Sequence, residues 1–572
     1  MTGVCVGWVL SREITQVLVP TPYHDAEGNI DGCVMRVSGG PGAVVDPVHA
    51  HETPYTESGR SRDPPLPDGK RGPRGRDDSD ARTGKSDSCI VLKTRPNKPQ
   101  SRGAEVVEGR SADQEELVKG EHLPNIESDN LVLTPLERVR ATARKKKGLR
   151  FTSLLHHVNR HALKEAYNSL KRSASAGVDG MTWHEYGKDL EARLQDLLGR
   201  VHRGGYHAKP SRRVYIAKAD GRERPLGIAS LEDKIVQSSV AKVMHAIYEE
   251  DFLGFSYGFR PGRSQHNALD ALTVGIYERK VNWVLDADIS GFFDAIDHKR
   301  LIKMVEHRIG DARVLRLIRK WLNAGVLEDG RIMAQEKGTP QGANISPLLA
   351  NIYLHYVFDR WAHQRRRQHA RGDVVIVRYA DDIVMGFQHR NEAERFLREV
   401  RERFANFELE LHPDKTRLIE FGRNAERARR GRGQGKPKTF DFLGFTHISG
   451  KTRNGKFLLR RHTIRKRLRA TLAAIKVELQ VRMHKPVDAV GKWLRGVVNG
   501  YFNYHAIRTN RKTLVVLRRE VGRMWLQTLW RRSHKDRTTW DEFITLYNRW
   551  IPQVAYRHPW PSERFAKRQY SR

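Results

Sequence analysis

Residues 374–385 read Val-Val-Ile-Val-Arg-Tyr-Ala-Asp-Asp-Ile-Val-Met, two apolar and largely β-branched runs on either side of a pair of adjacent carboxylates. Each run has the length and composition of a short buried strand, so Tyr379 to Asp382 is expected to form the turn of a β-hairpin. Two carboxylates held side by side on a rigid turn repel one another unless a cation lies between them. Mg²⁺ prefers hard oxygen ligands and keeps several waters, and it meets that need. A bare Asp-Asp pair is more often an ordinary polar turn, so the rest of the chain has to decide between the two.

The chain around that pair is strongly basic. Its 572 residues carry a formal net charge of +36 with a pI near 10.2, which points to a polyanionic partner, nucleic acid first. Residues 1–130 hold 16 Lys and Arg against 21 Asp and Glu, so the surplus belongs to the body of the chain and not to this end. The 3 cysteines, Cys5, Cys33 and Cys89, exclude a disulfide framework or a cysteine-based zinc module in that body. No stretch reads as a transmembrane span or a secretory leader. From Ser38 to Gly120 the composition is dominated by Gly, Pro, Ser, Asp and Arg. Such a segment buries too little apolar surface to offset its ordering entropy, so residues 1–130 are expected to be a disordered extension.

Order is expected from Thr134-Pro135-Leu136-Glu137, a capping-box signature. Amphipathic helices are read from about Ser153 and over Leu190 to Leu197. From Arg212 the pattern turns to strands: residues 213–218 alternate, Asp220-Gly221 supplies a tight turn and residues 224–228 return. Lys218 and Arg224 then flank a hairpin turn and present two cations to a polyphosphate. After a long helix from Leu231, residues 257–264 interleave aromatics with Arg260 and Arg263 in the manner of single-stranded nucleic-acid contacts. Trp283 to Asp288 is an apolar strand ending in an acid, which places Asp288 to be a third carboxylate opposite the Asp381-Asp382 turn. Residues 338–342, Gly-Thr-Pro-Gln-Gly, bring backbone close to a ligand and open a new helix. Beyond the hairpin, a helix over 393–407 leads to His412-Pro413-Asp414-Lys415-Thr416-Arg417 and the strand 418–421.

Taken in order, Arg-Pro-Leu-Gly-Ile (224–228), Ala-Asp-Ile-Ser-Gly-Phe-Phe-Asp (287–294), Gly-Thr-Pro-Gln-Gly with Ser-Pro-Leu-Leu-Ala-Asn (338–351), Tyr-Ala-Asp-Asp (379–382) and Asp-Lys-Thr-Arg (414–417) closely resemble the reverse transcriptases encoded by bacterial group II introns. Phe440 to Phe445 extends the likeness, which covers about residues 135–565. The resemblance implies an α+β right-hand polymerase, fingers and palm with an antiparallel palm sheet, followed by a helical thumb or maturase domain. It implies two Mg²⁺ ions, held by Asp288, Asp381, Asp382 and the Ile289 carbonyl, which polarise the primer 3′-hydroxyl and the leaving pyrophosphate. Lys218 and Arg224 match the residues that hold the incoming triphosphate, and Gln341 the loop residue beside the nucleotide. Phe293 matches the aromatic under the sugar that excludes a 2′-hydroxyl. Lys415 matches the lysine near the leaving phosphate, a candidate general acid. The sequence departs from the common pattern at Gly342-Ala343-Asn344-Ile345, where many relatives carry Gly-Gly-Val-Ile.

Residues 423–438 read as a mobile basic loop, and residues 461–480 as a basic helix with Arg465, Lys466 and Arg469 on its polar face. Two more helices follow, from Trp493 and over Leu514 to Trp530. Arg495, Asn499 and Asn503 are the RNA-contact candidates of the first of these. The expected division is thus 131–425 for fingers and palm, 426–450 for the basic loop and last palm strand, and 451–572 for the thumb. No Cys/His nuclease module follows, so an endonuclease-lacking member is expected. The partners implied are group II intron RNA, an RNA template with a DNA primer, dNTPs and target DNA, with no membrane and no redox cofactor, in a bacterial cytoplasm close to the nucleoid. Two other readings stand beside this one: an RNA-binding maturase with an unused polymerase, and a domesticated reverse transcriptase in phage defence.

Overall fold

A computed structural model describes residues 133–217, 223–333, 336–532 and 538–570. The extension over 1–130 and Lys218 lie outside the described residues. Along the chain the strands are β1 (Ser211–Ala217), β2 (Glu223–Ile228), β3 (Trp283–Asp288), β4 (Val326–Glu328), β5 (Arg331–Met333), β6 (Val374–Tyr379), β7 (Asp382–Phe387), β8 (Arg417–Glu420), β9 (Phe440–Phe442), β10 (Phe445–Lys451) and β11 (Phe457–Thr463). They form three sheets, ordered β2-β1-β4-β5, β6-β7-β3-β8 and β11-β10-β9.

The central sheet is antiparallel throughout, and its two faces are covered by different cores. Leu285, Ala287, Ile376, Ile383 and Met385 point into one, and Val284, Val375, Val377, Val384 and Ile419 into the other. Successive strand residues face opposite ways, so a sheet buried on both faces needs continuous apolar strands. That is why β3, β6 and β7 read as unbroken hydrophobic runs. Helix Gln265–Glu278 packs against β6, and helix Arg390–Ala405 against β3 and β7.

The start of helix Pro135–Lys145 follows its local code, with the Thr134 side chain accepting from Glu137 N and Glu137 taking the Thr134 N–H. Helix Ser346–Leu354 runs on through a π-helical turn, His355–Asp359, into Arg360–His369. The third sheet departs from the sequence reading. Residues 445–463 form the hairpin β10–β11, so the helix expected from 461 begins only at Arg465, and the boundary at 450 falls inside β10. Within 423–438, Ala425–Gly431 is a short helix, and Arg429 and Arg432 reach Glu420. Helices Val487–His505, Arg511–Trp530 and Trp540–Trp550 pack around Leu494, Val498, Leu517, Val521 and Phe543. The last helix, Pro561–Tyr570, returns to lie on Gln265–Glu278, with Arg564 paired to Asp270.

Candidate active site

The expected hairpin is present, with Tyr379 opposite Asp382 and a two-residue turn of Ala380 and Asp381. Ala380 has φ +56°, a left-handed conformation that is uncommon outside glycine and costs an alanine free energy. On the other side of β7, Asp382 is the direct cross-strand partner of Asp288. Directly opposed residues share a face with Cβ atoms roughly 4.5–5.5 Å apart, so the sheet register itself brings two carboxylates together. Asp288 and Asp382 are buried and Asp381 is half-buried. Burial, with the Asp382 carboxylate adding to it, pushes the neighbouring Tyr379 phenol up to about 12.

Asp286 also lies on this face, two residues before Asp288, and was not singled out from the sequence. It is fully buried and paired to Arg417 of β8 at 3.2 Å, so its charge is already met within the protein. Asp288 is met differently. Ser290 N donates to Glu410 O and His412 N to Asp288 O, both at 2.8 Å, which stitches residues 410–412 to the end of β3. These bonds run through Asp288 and Ser290 and leave the Ile289 carbonyl out of the pairing. A turn closed by Thr416 N on His412 O then delivers Lys415, whose Nζ lies 3.0 Å from Asp288 Oδ2.

A second group of predicted residues gathers around the loop 338–342. Gly338 N donates to Ile296 O and Thr339 N to Phe293 O, fixing the loop along the short helix Phe292–Ala295. On its far side Gly227 N of β2 donates to Gln341 O at 2.7 Å. Gly342 is required there: its φ is +118°, and a Cβ would stand 2.4 Å from Gly227 O. Phe293, Gln341 and the strand carrying Arg224 are therefore neighbours, with Arg224 placed opposite Ile216 and Gln341 Nε2 3.3 Å from Asp294. The unusual Asn344 is absorbed by helix Leu231–Tyr248, donating to Gln237 Oε1 and Ser238 Oγ.

The sequence reading missed the network beneath the turn. Arg378, fully buried, forms a two-bonded pair with the equally buried Asp359 at 2.7 and 2.6 Å. It also donates to the Ala380 carbonyl, to Asn351 Oδ1 and to Ser256 Oγ. Arg260 and Arg263, expected to touch RNA, belong to the same scaffold. Arg260 is 5 % exposed, paired with Glu249 at 2.9 Å and donating to Leu253 O and Ser256 O. Arg263 donates to Gly254 O and Ser256 O and stacks on Tyr257. A guanidinium has five donors and no acceptor, so it can staple several carbonyls of an irregular loop at once. The signal that could have revealed this was Glu249, but nothing local to the sequence joins it to Arg260.

Farther along, Arg465, Lys466, Arg469 and Arg495 are exposed on their helices. The side-chain oxygens of Asn499 and Asn503 accept from Arg557 of the C-terminal segment.

A profile of the reverse transcriptase (RNA-dependent DNA polymerase) family matches residues 216–447, which contain every catalytic candidate above. Protein YkfC of Escherichia coli (strain K12) is 38 % identical over 282 residues, 44 % of this chain and 74 % of that protein. The chain belongs to the reverse transcriptase family. The group II intron-encoded protein LtrA of Lactococcus lactis is 39 % identical over 191 residues, 33 % of this reverse transcriptase and 32 % of LtrA. An uncharacterized 91 kDa protein in a cob intron of Schizosaccharomyces pombe is 32 % identical over 279 residues, 47 % of this chain and 34 % of its own length. By family, then, it is an RNA-directed DNA polymerase, and LtrA is by its name a group II intron-encoded protein. The chain spans about a third of the length of the two intron proteins.

Members of such a family use divalent metal ions, and the site fits that requirement. Its donors are hard carboxylate oxygens, and the cation beside Asp288 is the Lys415 ammonium. No group of three or more His, Cys, Asp or Glu among the described residues cages an ion by itself. Mg²⁺ is commonly bound through one or two carboxylates completed by water and substrate phosphate, so an open donor set suits it. Among the described residues no helix is long and apolar enough to cross a membrane.

Proposed function

We propose that this chain copies RNA into DNA, adding dNTPs to a primer on an RNA template at a two-Mg²⁺ site, and that it also binds intron RNA as a maturase assisting splicing and mobility. The observation that carries the polymerase reading is the register pairing Asp288 with Asp382, with Asp381 next on the turn. In this reading the three carboxylates and the Ile289 carbonyl hold the ions, which supply charge neutralisation for the attacking 3′-oxygen and the leaving pyrophosphate. The protein supplies the rest. Phe293 lies under the incoming sugar and excludes a 2′-hydroxyl, while Gln341 borders the nucleotide. Lys218 and Arg224 hold the triphosphate, and Lys415 leaves Asp288 to protonate the departing phosphate. The sheet β6-β7-β3-β8 takes the part of the palm, β2-β1-β4-β5 with its helices the fingers, and the helices from Arg465 onward the thumb. Arg465, Lys466, Arg469 and Arg495 are its RNA-facing cations.

The test is cDNA synthesis on a primed RNA template by the wild type and by Asp381→Asn and Asp382→Asn, alongside RNA binding by the same proteins. Both substitutions should abolish synthesis and leave binding nearly intact, because binding rests on distributed phosphate contacts. Unchanged synthesis in either variant would sink the assignment. Binding with no synthesis by the wild type would instead favour a maturase whose polymerase is unused.

A further inference from the structure

The loop Tyr257-Gly258-Phe259-Arg260 touches both halves of the candidate site. Tyr257 N donates to Arg378 O at 2.9 Å, so the loop runs alongside the end of β6. Gly258 is pressed onto the turn, where a Cβ would stand 2.2 Å from Ala380 N, and its carbonyl accepts from Asn351 Nδ2 at 2.7 Å. The next residue, Phe259, has φ +56°. A bulky residue in the left-handed region is a strained choice, and it persists only where the surroundings over-determine it. Here those surroundings are the arginines on Ser256 and the Asn351 bond on Gly258. The result is a ring aimed at Phe293, with centroids 6.4 Å apart and planes at 74°, the edge-to-face geometry that aromatic pairs favour.

Phe293 sits on a helix of only four residues and is half-buried; the Phe292 ring at 5.5 Å and the core hold one side of it, so the orientation of its other side rests on a contact from another segment. A gate that works by clash is only as selective as the ring is immobile. We propose that Phe259 is a specificity-determining positioning residue, whose edge-on contact locks the Phe293 ring and whose loop ties that lock to the Ala380 turn. This rests on the reading of Phe293 as the sugar gate. One loop then sets two geometries together, the metal-binding turn through Gly258 and the sugar discrimination through Phe259.

Phe259→Gly tests it, because glycine adopts φ +56° freely; the ring also packs against the neighbouring core, so thermal melts of the variant run beside the assay and only a folded protein is scored. Single-nucleotide incorporation of dNTP and rNTP on a primed RNA template gives the preference as a ratio of kcat/KM values. Loss of one edge-on aromatic contact should lower the dNTP preference roughly three- to tenfold, through improved rNTP use. Phe259→Tyr, which keeps the ring, should retain the wild-type ratio. In a Phe293→Ala background Phe259→Gly should change the ratio no further, since the contact is already gone. An unchanged ratio in Phe259→Gly, or an effect that adds in full to that of Phe293→Ala, overturns the proposal. If Phe293→Ala alone keeps the wild-type ratio, the gate reading fails and this proposal with it. If the wild type makes no cDNA, the polymerase reading fails first.

Discussion

Lys415 Nζ lies 3.0 Å from Asp288 Oδ2, so one residue read as a general acid neutralises another read as a metal ligand. The pair is joined by backbone, since His412 N donates to Asp288 O three residues before Lys415. A cation held there offsets the repulsion between Asp288 and its cross-strand neighbour Asp382.

Removing that cation tests its two roles. Lys415→Ala should slow single-turnover incorporation by roughly 10²-fold or more if the ammonium protonates the leaving phosphate, the usual worth of general acid catalysis. Lys415→Arg should keep the charge beside Asp288 and lose most of the rate, because a guanidinium releases its proton reluctantly. Equal rates for both variants and the wild type would restrict Lys415 to charge balance.

The Arg378–Asp359 pair is fully buried, and each partner depends on the other for solvation. Asp359→Ala should destabilise the protein by about 3–5 kcal/mol, because it strands a buried guanidinium. Arg378→Lys should keep a charge but lose the bonds to Asn351, Ser256 and the Ala380 carbonyl that need a planar fork. Its expected signature is a fall in kcat larger than the fall in Tm suggests. Thermal melts run beside the incorporation assay would read both.

Three core histidines make the fold sensitive to acid. Burial lowers His266 to about 2, helped by the neighbouring His558, and lowers His447 and His505 to about 3. Each is a base whose folded pKa lies below its unfolded value near 6.5, so the unfolded chain binds more protons between those limits. Their stability is intact above about pH 6.5 and is lost as the pH falls from there toward 3. At pH 5.5 the three together should cost about 4 kcal/mol, from roughly 1.4 kcal/mol per group per pH unit. His447 stacks flat on Phe440 at 4.7 Å, so His447→Phe should fit the site and reduce the slope of Tm against pH by about a third. A Tm independent of pH between 7 and 5 would contradict the burial of neutral imidazoles.

RNA affinity should fall steeply with salt. If about 6–10 phosphates are engaged, the loss is roughly 10³–10⁵ between 50 and 200 mM salt. Replacing Arg465, Lys466 or Arg469 singly by Gln should reduce the slope of log K against log salt by about one each. Asn499→Ala or Asn503→Ala should leave the slope alone, because an uncharged amide neutralises no phosphate. Filter binding across a salt series distinguishes the two groups.

What could be read from the sequence was what neighbours along the chain decide. The Thr134 cap, the strand ending at Asp288 and the hairpin turn at Asp381-Asp382 all rest on patterns within a dozen residues, and all are present. The hairpin β10–β11 escaped because its strands carry Lys451, Arg460, Arg461 and His462, charges that mimic an exposed helix face. Arg461 is nevertheless buried, paired with Asp270 from a distant helix. Arg260, expected on an RNA-facing loop, is buried for the same reason. An arginine beside aromatics looks the same in sequence whether it faces a phosphate or a buried carbonyl.

By itself, then, the sequence determined which acids end strands and turns, and in what order the motifs that resemble a reverse transcriptase follow one another. Only the tertiary structure decided that Asp288 faces Asp382, that Lys415 rather than Arg417 meets Asp288, and that a strained Ala380 is held by Arg378 from below. Strand register and the partners of buried charges are set by packing between segments far apart in the chain. A local pattern carries no record of which segments those are.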